Sequence, residues 1–503
     1  MATVTSQLTR IHDLEGTLVT VSLGGGAGAA ANTDIFLQGT QSLGRRVSNT
    51  TDGGYMVDDT VSNDLSADNA HLAAWVWVTH FGSLTALKLR IASQSGTGNY
   101  DQHTIPLGFI PSGGGWLRLW IDISRTPEEV GGSGLDEAAV RYIGPAVTLP
   151  TVGGNVANVI LDAVDHTTGG LLLTGTAGVW TDFTTADNLT ANKYGVLSLN
   201  SGIFYCYARL TLGSSSSLVF SHSNFVLIFV DQATVSTTFM GINIDLQNAS
   251  TNVDWNAGVI RSAGSTNKGD IIVTGTAGDF DAVGMTLGNL RIITLTSACT
   301  LDECTISSTG LITQSGAVVS NCSINAQTGS IAVLSNNPAN ISNCTFTSPG
   351  TGHAIQITTP GTYTFSGNLF VGYAASNGST GNEAIYNNSG GAVTLNITNG
   401  GSSPSIRNGA GASTTVNANV QVTLTGLVNP SEVRIFNAGT TTEIAGQENV
   451  TSGSFVFSIG AGVAVDISIL ALAYQIQRIK NYSTTSDATL PIQQIIDRQY
   501  LNP

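Results

Sequence analysis

Through short stretches over most of this chain, apolar residues fall at every second position, the pattern of half-buried strands. It is sharp in residues 1 to about 142, where HLAAWVWVTHFG, ALKLRIAS and GGGWLRLWIDISR are separated by Gly-rich and Asp-containing turns. That region is expected to be a jelly roll or other β-sandwich. Within it Trp75 and Trp77, and Trp116 and Trp120, stand at even spacing, so each pair shares a sheet face. Large aromatics dominate core burial, so the rings are expected to form two core layers. Exposed, they would instead make a sugar-stacking platform, the ligand-binding alternative for these four residues.

From Pro145 and Pro150 onward the texture changes: NVANVILD, GGLLLTG, YGVLSLNSG and GDIIVTG are cut at Gly or Asn every eight to twelve residues. A repeat then emerges, with DECTI from Asp302, SNCSI from Ser320, SNCTF from Ser342 and SGNLF from Ser366, spaced by 18, 22 and 24 residues. Between them lie GLITQ, GSIAVL and GHAIQI, so each period holds at least two short strands joined by Gly, Asn or Pro corners. One coil of this kind cannot bury its apolar side alone, whereas stacked coils exchange backbone hydrogen bonds and line up like side chains. The pattern predicts a parallel β-helix over 143–412, a rod of roughly 55 Å, with Cys304, Cys322, Cys344 and Asn368 as an inward column. Stacked strands sit about 4.8 Å apart, beyond the usual Cβ separation of a disulfide, so these thiols are expected to remain free.

Strict alternation returns in Val420–Val422–Leu424, Phe455–Phe457–Ile459 and Val463–Val465–Ile467–Ile469, predicting a small antiparallel β-sandwich over 413–476. Residues 477–503 lose the alternation and carry Arg478, Lys480 and Arg498, so an extended tail that docks on a neighbouring subunit is expected.

Composition narrows the function classes. Only 10% of the 503 residues are charged, against roughly 25% in an average soluble domain. The formal charge is -15, with lysine only at 88, 193, 268 and 480. No basic stripe offsets phosphate repulsion, which argues against nucleic acid as a direct partner. No apolar run of the length of a membrane span occurs, and the N-terminus MATVTSQLTRIHDLEG lacks a secretory pattern, so synthesis in the cytoplasm without membrane insertion is expected.

Candidate chemistry is sparse. There is no HExxH, P-loop or nucleophile-elbow signature, and the five cysteines form no CxxC pair, so no cofactor and no structural metal are expected. Glycan cleavage needs two carboxylates flanking the sugar, and between Cys304 and Pro430 the only acidic residue is Glu383. The tightest same-face pair, Asp279 and Asp281 in GDFDAVG, is the catalytic alternative, weighed against turn capping. In TDGGYMVDD, Asp52, Asp58 and Asp59 offer hard oxygens as the calcium alternative, without EF-hand spacing.

The segments GTQSLGRRVSNTTDGGYMVDD, GGGWLRLWIDISRTPEE and VTLTGLVNPSEVRIFNAGTTTEIAG, with the end PIQQIIDRQYLNP, resemble tailed-bacteriophage virion proteins. In that group a lectin-like jelly roll precedes a pectate-lyase-like right-handed β-helix and a small β-sandwich. The resemblance implies a non-catalytic structural component on the virion surface, a tail fibre, tailspike or capsid decoration. It further implies a homotrimer bound to other virion proteins (capsid, portal, tail or adaptor), with a host surface glycan as a further partner for host attachment. A tailspike depolymerase and a carbohydrate-binding adhesin are the rival readings.

Overall fold

Thr, Val and Ile favour a pleated surface and Gly and Asn its corners, and the computed structural model of this chain is correspondingly all-β. It describes residues 2–15, 18–23, 29–48, 53–66, 71–78, 84–93, 98–105, 115–151, 156–167, 169–187, 193–230, 239–327, 329, 331–374, 378, 381–399, 401–460, 463–484 and 487–500. Two compact units divide the chain, Met1–Thr300 with Cys304–Gly310, and Leu301–Glu303 with Leu311–Pro503.

The first unit opens with the expected sandwich. One antiparallel sheet runs in the order Gly115–Asp122, His71–Val78, Val156–Thr167, Ser42–Ser48, Ala30–Asn32. The other runs Glu129–Gly131, Tyr100–Ile105, Ala86–Ser93, Val140–Thr148, Gly53–Asn63, Val19–Leu23. Their facing sides bury Leu72, Ala74, Val76, Leu87, Leu89, Ile91, Val159 and Leu161 in one core. The sandwich thus extends past the expected boundary at 142, because Val156–Thr167 is a central strand of the first sheet, paired on either side.

Beyond it the same unit changes to parallel pairing. Gly170–Gly178, Arg209–Leu212, Gly241–Asp245 and Asp270–Thr274 form one ladder. Leu218–Ser223, Asn252–Asn256 and Asp279–Val283 form a second. Ile203–Cys206, Val226–Phe229, Val259–Ser262, Thr286–Gly288 and Thr305–Thr309 form a third. Each strand therefore meets its counterpart one circuit later. The first circuit is closed by Thr3–Ser6, antiparallel to Gly170–Gly178, and by the helix Trp180–Asp187. Trp180 is fully buried, with its ring 4.9 Å from Phe220 and 5.9 Å from Trp255.

The second unit continues in parallel ladders, among them Val333–Ser335, Ile355–Ile357, Ile385–Asn387 and Ile406–Asn408. Its 13-residue strand Ser413–Thr425 pairs in parallel with Ala392–Thr398 through its first half and antiparallel with Ser454–Gly460 through its second. It is thereby the last ladder strand and the first of a sandwich whose core holds Val422, Leu424, Val433, Ile435, Ile467 and Ile469. The described residues of 477–503 are not an extended tail: Gln477–Tyr482 pairs with Val465–Ala471, and Ala488–Pro491 with Val422–Thr425. These segments bury their own apolar side within the sandwich, where Ile492 is also buried.

Candidate functional site

The four positions expected to point inward fall in different units, Cys304 in the first and Cys322, Cys344 and Asn368 in the second. Cys304, Cys322, Cys344 and Asn368 are all buried, and the cysteines are free thiols. Each follows a corner residue in the left-handed region, Glu303, Asn321, Asn343 or Gly367, with φ of 54, 54, 54 and 68°. The same corner recurs earlier at Asn224, Ala257 and Gly284, placing Phe225, Gly258 and Met285 at the equivalent position. In the first unit Val259 N donates to Phe225 O (2.7 Å), Thr286 N to Gly258 O (2.8 Å) and Thr305 N to Met285 O (2.8 Å). In the second, Thr345 N donates to Cys322 O (2.9 Å) and Leu369 N to Cys344 O (2.8 Å). Asn368 closes its end by accepting from Cys344 N (3.0 Å) and donating to Ile341 O (2.7 Å). These positions carry backbone register and packing, and no reactive group is presented to solvent.

The tryptophans correct the core expectation. Trp116 lies opposite Trp77 and Arg118 opposite Trp75, so all four rings share the outer face of the first sheet, and none belongs to the sandwich core. The alternating positions Leu72, Ala74, Val76 and Val78 took the inner face. Trp120 is fully buried beside Phe239, which also stacks on His71 at 3.7 Å. The Trp75 indole donates to Lys193 O at 2.7 Å. Between Trp75 and Trp120 sits Arg118, its guanidinium 5.5 Å from each ring. Arg118 donates to Ala163 O (2.9 Å) and pairs with Asp165, which also accepts from Arg10 at 2.5 Å. That half of the face is filled by protein.

Trp77 and Trp116 remain half-exposed. Their row continues across the sheet through Ile160, Gly44 and Ala30. There a cavity of about 350 Å³ is lined by Asn32, Asp34, Arg46, Asn158 and Ile160 among others. The tryptophans do not line this cavity; Ile160, the cross-strand neighbour of Trp77, does, beside the amides of Asn32 and Asn158 and the exposed guanidinium of Arg46. The tryptophans were legible in sequence; Asn32, Arg46 and Asn158 were not, because only the strand order brings them together around Ile160.

Asp279 and Asp281 do share the outward face of their strand, and Asp281 is level with Asp254 of the preceding circuit. Burial, and then the neighbouring carboxylates, push Asp254 and Asp279 above the ordinary carboxylate range. Yet these acids line up side by side along one ladder and do not face each other across a gap, as sugar cleavage requires. Of the calcium candidates, the two described ones have protein partners of their own. Asp58 is held in a two-point pair by Arg141 (2.6 and 3.0 Å), whereas Asp59 accepts from Asn63 (2.6 Å). Asp52 lies outside the described residues. Among the described residues no group of three or more His, Cys, Asp or Glu is placed to hold a metal, and no helix is long and apolar enough to cross a membrane.

No family model and no curated protein matches the chain. Among solved structures it is similar to an exo-beta-agarase, at 16% identity over 32% of this chain and 25% of that chain, with a TM-score of 0.23. It is also similar to the catalytic domain of a GH87 alpha-1,3-glucanase, at 10% identity over 83% and 85% of the two chains and a TM-score of 0.19. A third similarity is to a carbohydrate-binding module of the β-sandwich superfamily, at 13% identity over 32% and 56%, with a TM-score of 0.17. The chain spans about a quarter of the agarase. At such TM-scores these similarities carry no argument, and function rests on the chain's own residues.

Proposed function

We propose that the chain is a non-catalytic structural component of a bacteriophage virion, displayed on its surface. The supporting observation is the coil interior. In each unit the positions after the recurring corner, Phe, Gly, Met and Cys in the first and Cys and Asn in the second, are buried, uncharged and tied circuit to circuit through the backbone. Such a stack satisfies its polar groups internally and opens slowly, which suits a particle that persists outside the cell. The resemblance drawn from the sequence points the same way.

Assembly as a homotrimer with other virion proteins is part of this reading. Its support is an apolar surface in the C-terminal sandwich. There Gln475 N donates to Ile495 O, and Leu472, Ile476, Ile495 and Ile496 stand 82, 54, 63 and 46% exposed. Grouped apolar side chains of this size mark interaction surfaces.

Fractionation of purified particles tests the assignment. The chain is expected to co-sediment with intact particles in a fixed copy number that is a multiple of three, and its absence from particles would sink the reading. Incubation of the protein with host capsule or O-antigen addresses the depolymerase rival, for which new reducing ends are the decisive product. A second reading, a carbohydrate-binding adhesin, is favoured by half-exposed Trp77 and Trp116 on a sheet face where Ile160, next to Trp77, lines a cavity. On that reading Trp77→Ala weakens retention on a host-glycan column while leaving particle incorporation intact.

A further inference from the structure

The second sheet of the C-terminal sandwich runs Glu443–Val450, Ser431–Asn437, Val465–Ala471, Gln477–Tyr482. Alternation sends Val433, Ile435, Ile467 and Ile469 into the core and leaves Arg434, Phe436, Asp466, Ser468, Arg478 and Lys480 outside. On that outer side opens a concavity of about 730 Å³, within the size range of small-ligand sites. Its walls are the turn Gly439–Thr441 and the edge strand carrying Arg478 and Lys480, with Phe436 and Ser468 between them.

The groove is braced from beneath. Asp466 accepts from Gly439 N (3.0 Å) on one wall and from Asn481 N (2.9 Å) on the other. A bulge in the pairing of Val465–Ala471 with the edge strand, with Asn481 at φ 53°, re-aims the edge there. Both Asp466 oxygens are thereby used in holding the walls.

What distinguishes the groove is its cations. The chain has 18 Lys and Arg, and many are closed into pairs: Arg10 and Arg118 with Asp165, Arg141 with Asp58, Arg291 with Asp270. On the same sheet face Arg434 is met by Glu432, Glu443 and Glu448. Arg478 and Lys480, by contrast, are exposed, two residues apart on one strand face; among the described residues no carboxylate lies within ion-pair distance of either, and only Lys480 feels the Asp466 carboxylate beneath the groove. Asp466 offsets part of the Lys480 charge from beneath, its two oxygens already taken by backbone N–H groups, so the pair of cations about 7 Å apart keeps an excess positive charge that a further anion at the groove mouth relieves. The exposed hydroxyl of Thr441 and the half-buried Phe436 ring supply a hydrogen-bonding wall and an apolar floor.

We propose that this groove binds an acidic saccharide, its carboxylates held by Arg478 and Lys480 and a sugar ring packed on Phe436. Its volume is far larger than an inorganic anion needs, and the aromatic floor suits a ring. The acid-rich remainder of the molecule, at a formal charge of -15, disfavours a dense polyanion such as nucleic acid. The inference goes beyond the virion assignment and does not depend on it.

Calorimetry on the full chain tests it with trigalacturonate and a sialic acid trimer as acidic probes, and with maltotriose and inorganic phosphate as controls. At least one acidic trimer is expected to bind, more weakly as salt rises, and maltotriose and phosphate at least roughly tenfold more weakly. The R478Q/K480Q variant, altered only at exposed edge-strand side chains, should lose at least about tenfold in affinity. Arg261→Gln, an exposed arginine of the other unit, should lose none. The proposal is overturned by failure of both acidic trimers to bind at about 10 mM. Equal binding of maltotriose or phosphate, or unchanged affinity in the double variant with native circular dichroism, overturns it as well.

Discussion

Asp165 neutralises a guanidinium that has no route to water: Arg118 is 3% exposed and Asp165 2%. Removing one partner of such a pair leaves a buried charge uncompensated, at a cost of about 3–5 kcal/mol. Asp165→Ala should lower the stability of the first unit by that order in urea unfolding followed by tryptophan fluorescence; a loss below about 1 kcal/mol would contradict the described pairing. His103 makes a second prediction. It is fully buried, neither ring nitrogen has a hydrogen-bond partner among the described residues, and burial pushes its imidazole below the ordinary value. The unfolded chain therefore takes up that proton first as pH falls through about 6.5. Stability is complete above that pH and declines below it, and His103→Leu should reduce the slope between about pH 6.5 and 5. An unchanged slope would contradict the assignment. Single residues were unevenly legible. The cysteines were readable because each follows a corner in a repeated string. The tryptophans were misread as core because even spacing fixes which side chains share a face, and only the packing of Phe239 and Lys193 onto the sheet shows which face is outer.

Among elements, the ladder strands followed from period-two alternation, and their order from the recurring corner. The helix Trp180–Asp187 was missed, although Trp180, Phe183, Thr184 and Asp187 are its buried residues and stand at helical spacing. Its eight residues, five of them Thr or Asp, lie amid strand texture that obscured the signal. The Asp187 carboxylate accepts from Gly195, Val196 and Leu197 N–H groups (2.6, 2.8 and 2.8 Å), a long-range anchor that spacing cannot reveal. The column itself is open to test. Asn368→Leu would leave Cys344 N and Ile341 O buried without partners, costing about 1–3 kcal/mol. Hydrogen exchange should show lost protection around Cys344, and native protection there would contradict the geometry. Mass spectrometry of the non-reduced protein should find Cys322 and Cys344 as thiols, since a disulfide joining them would be incompatible with the parallel register.

For the whole molecule, the sequence conveyed the all-β class and the succession of textures, but not where one domain ends. Val156–Thr167 reads as repeat texture yet completes the first sandwich, and strands within the segment expected to be an extended tail complete the last one. Alternation identifies strands without naming their partners. What the C-terminal sandwich leaves exposed, Leu472 and Ile495 foremost, is the surface assigned to assembly. The L472D/I495D variant should lower the mass measured by light scattering from three chains to one, with unchanged circular dichroism. The most direct test of the central claim is a cryo-electron-microscopy reconstruction of the intact particle. The account predicts density for this chain on the particle's outer surface in three-fold groups, with the parallel ladders traceable. Particles whose maps contain no copy of it, beside a free protein that cleaves host polysaccharide, would contradict the account.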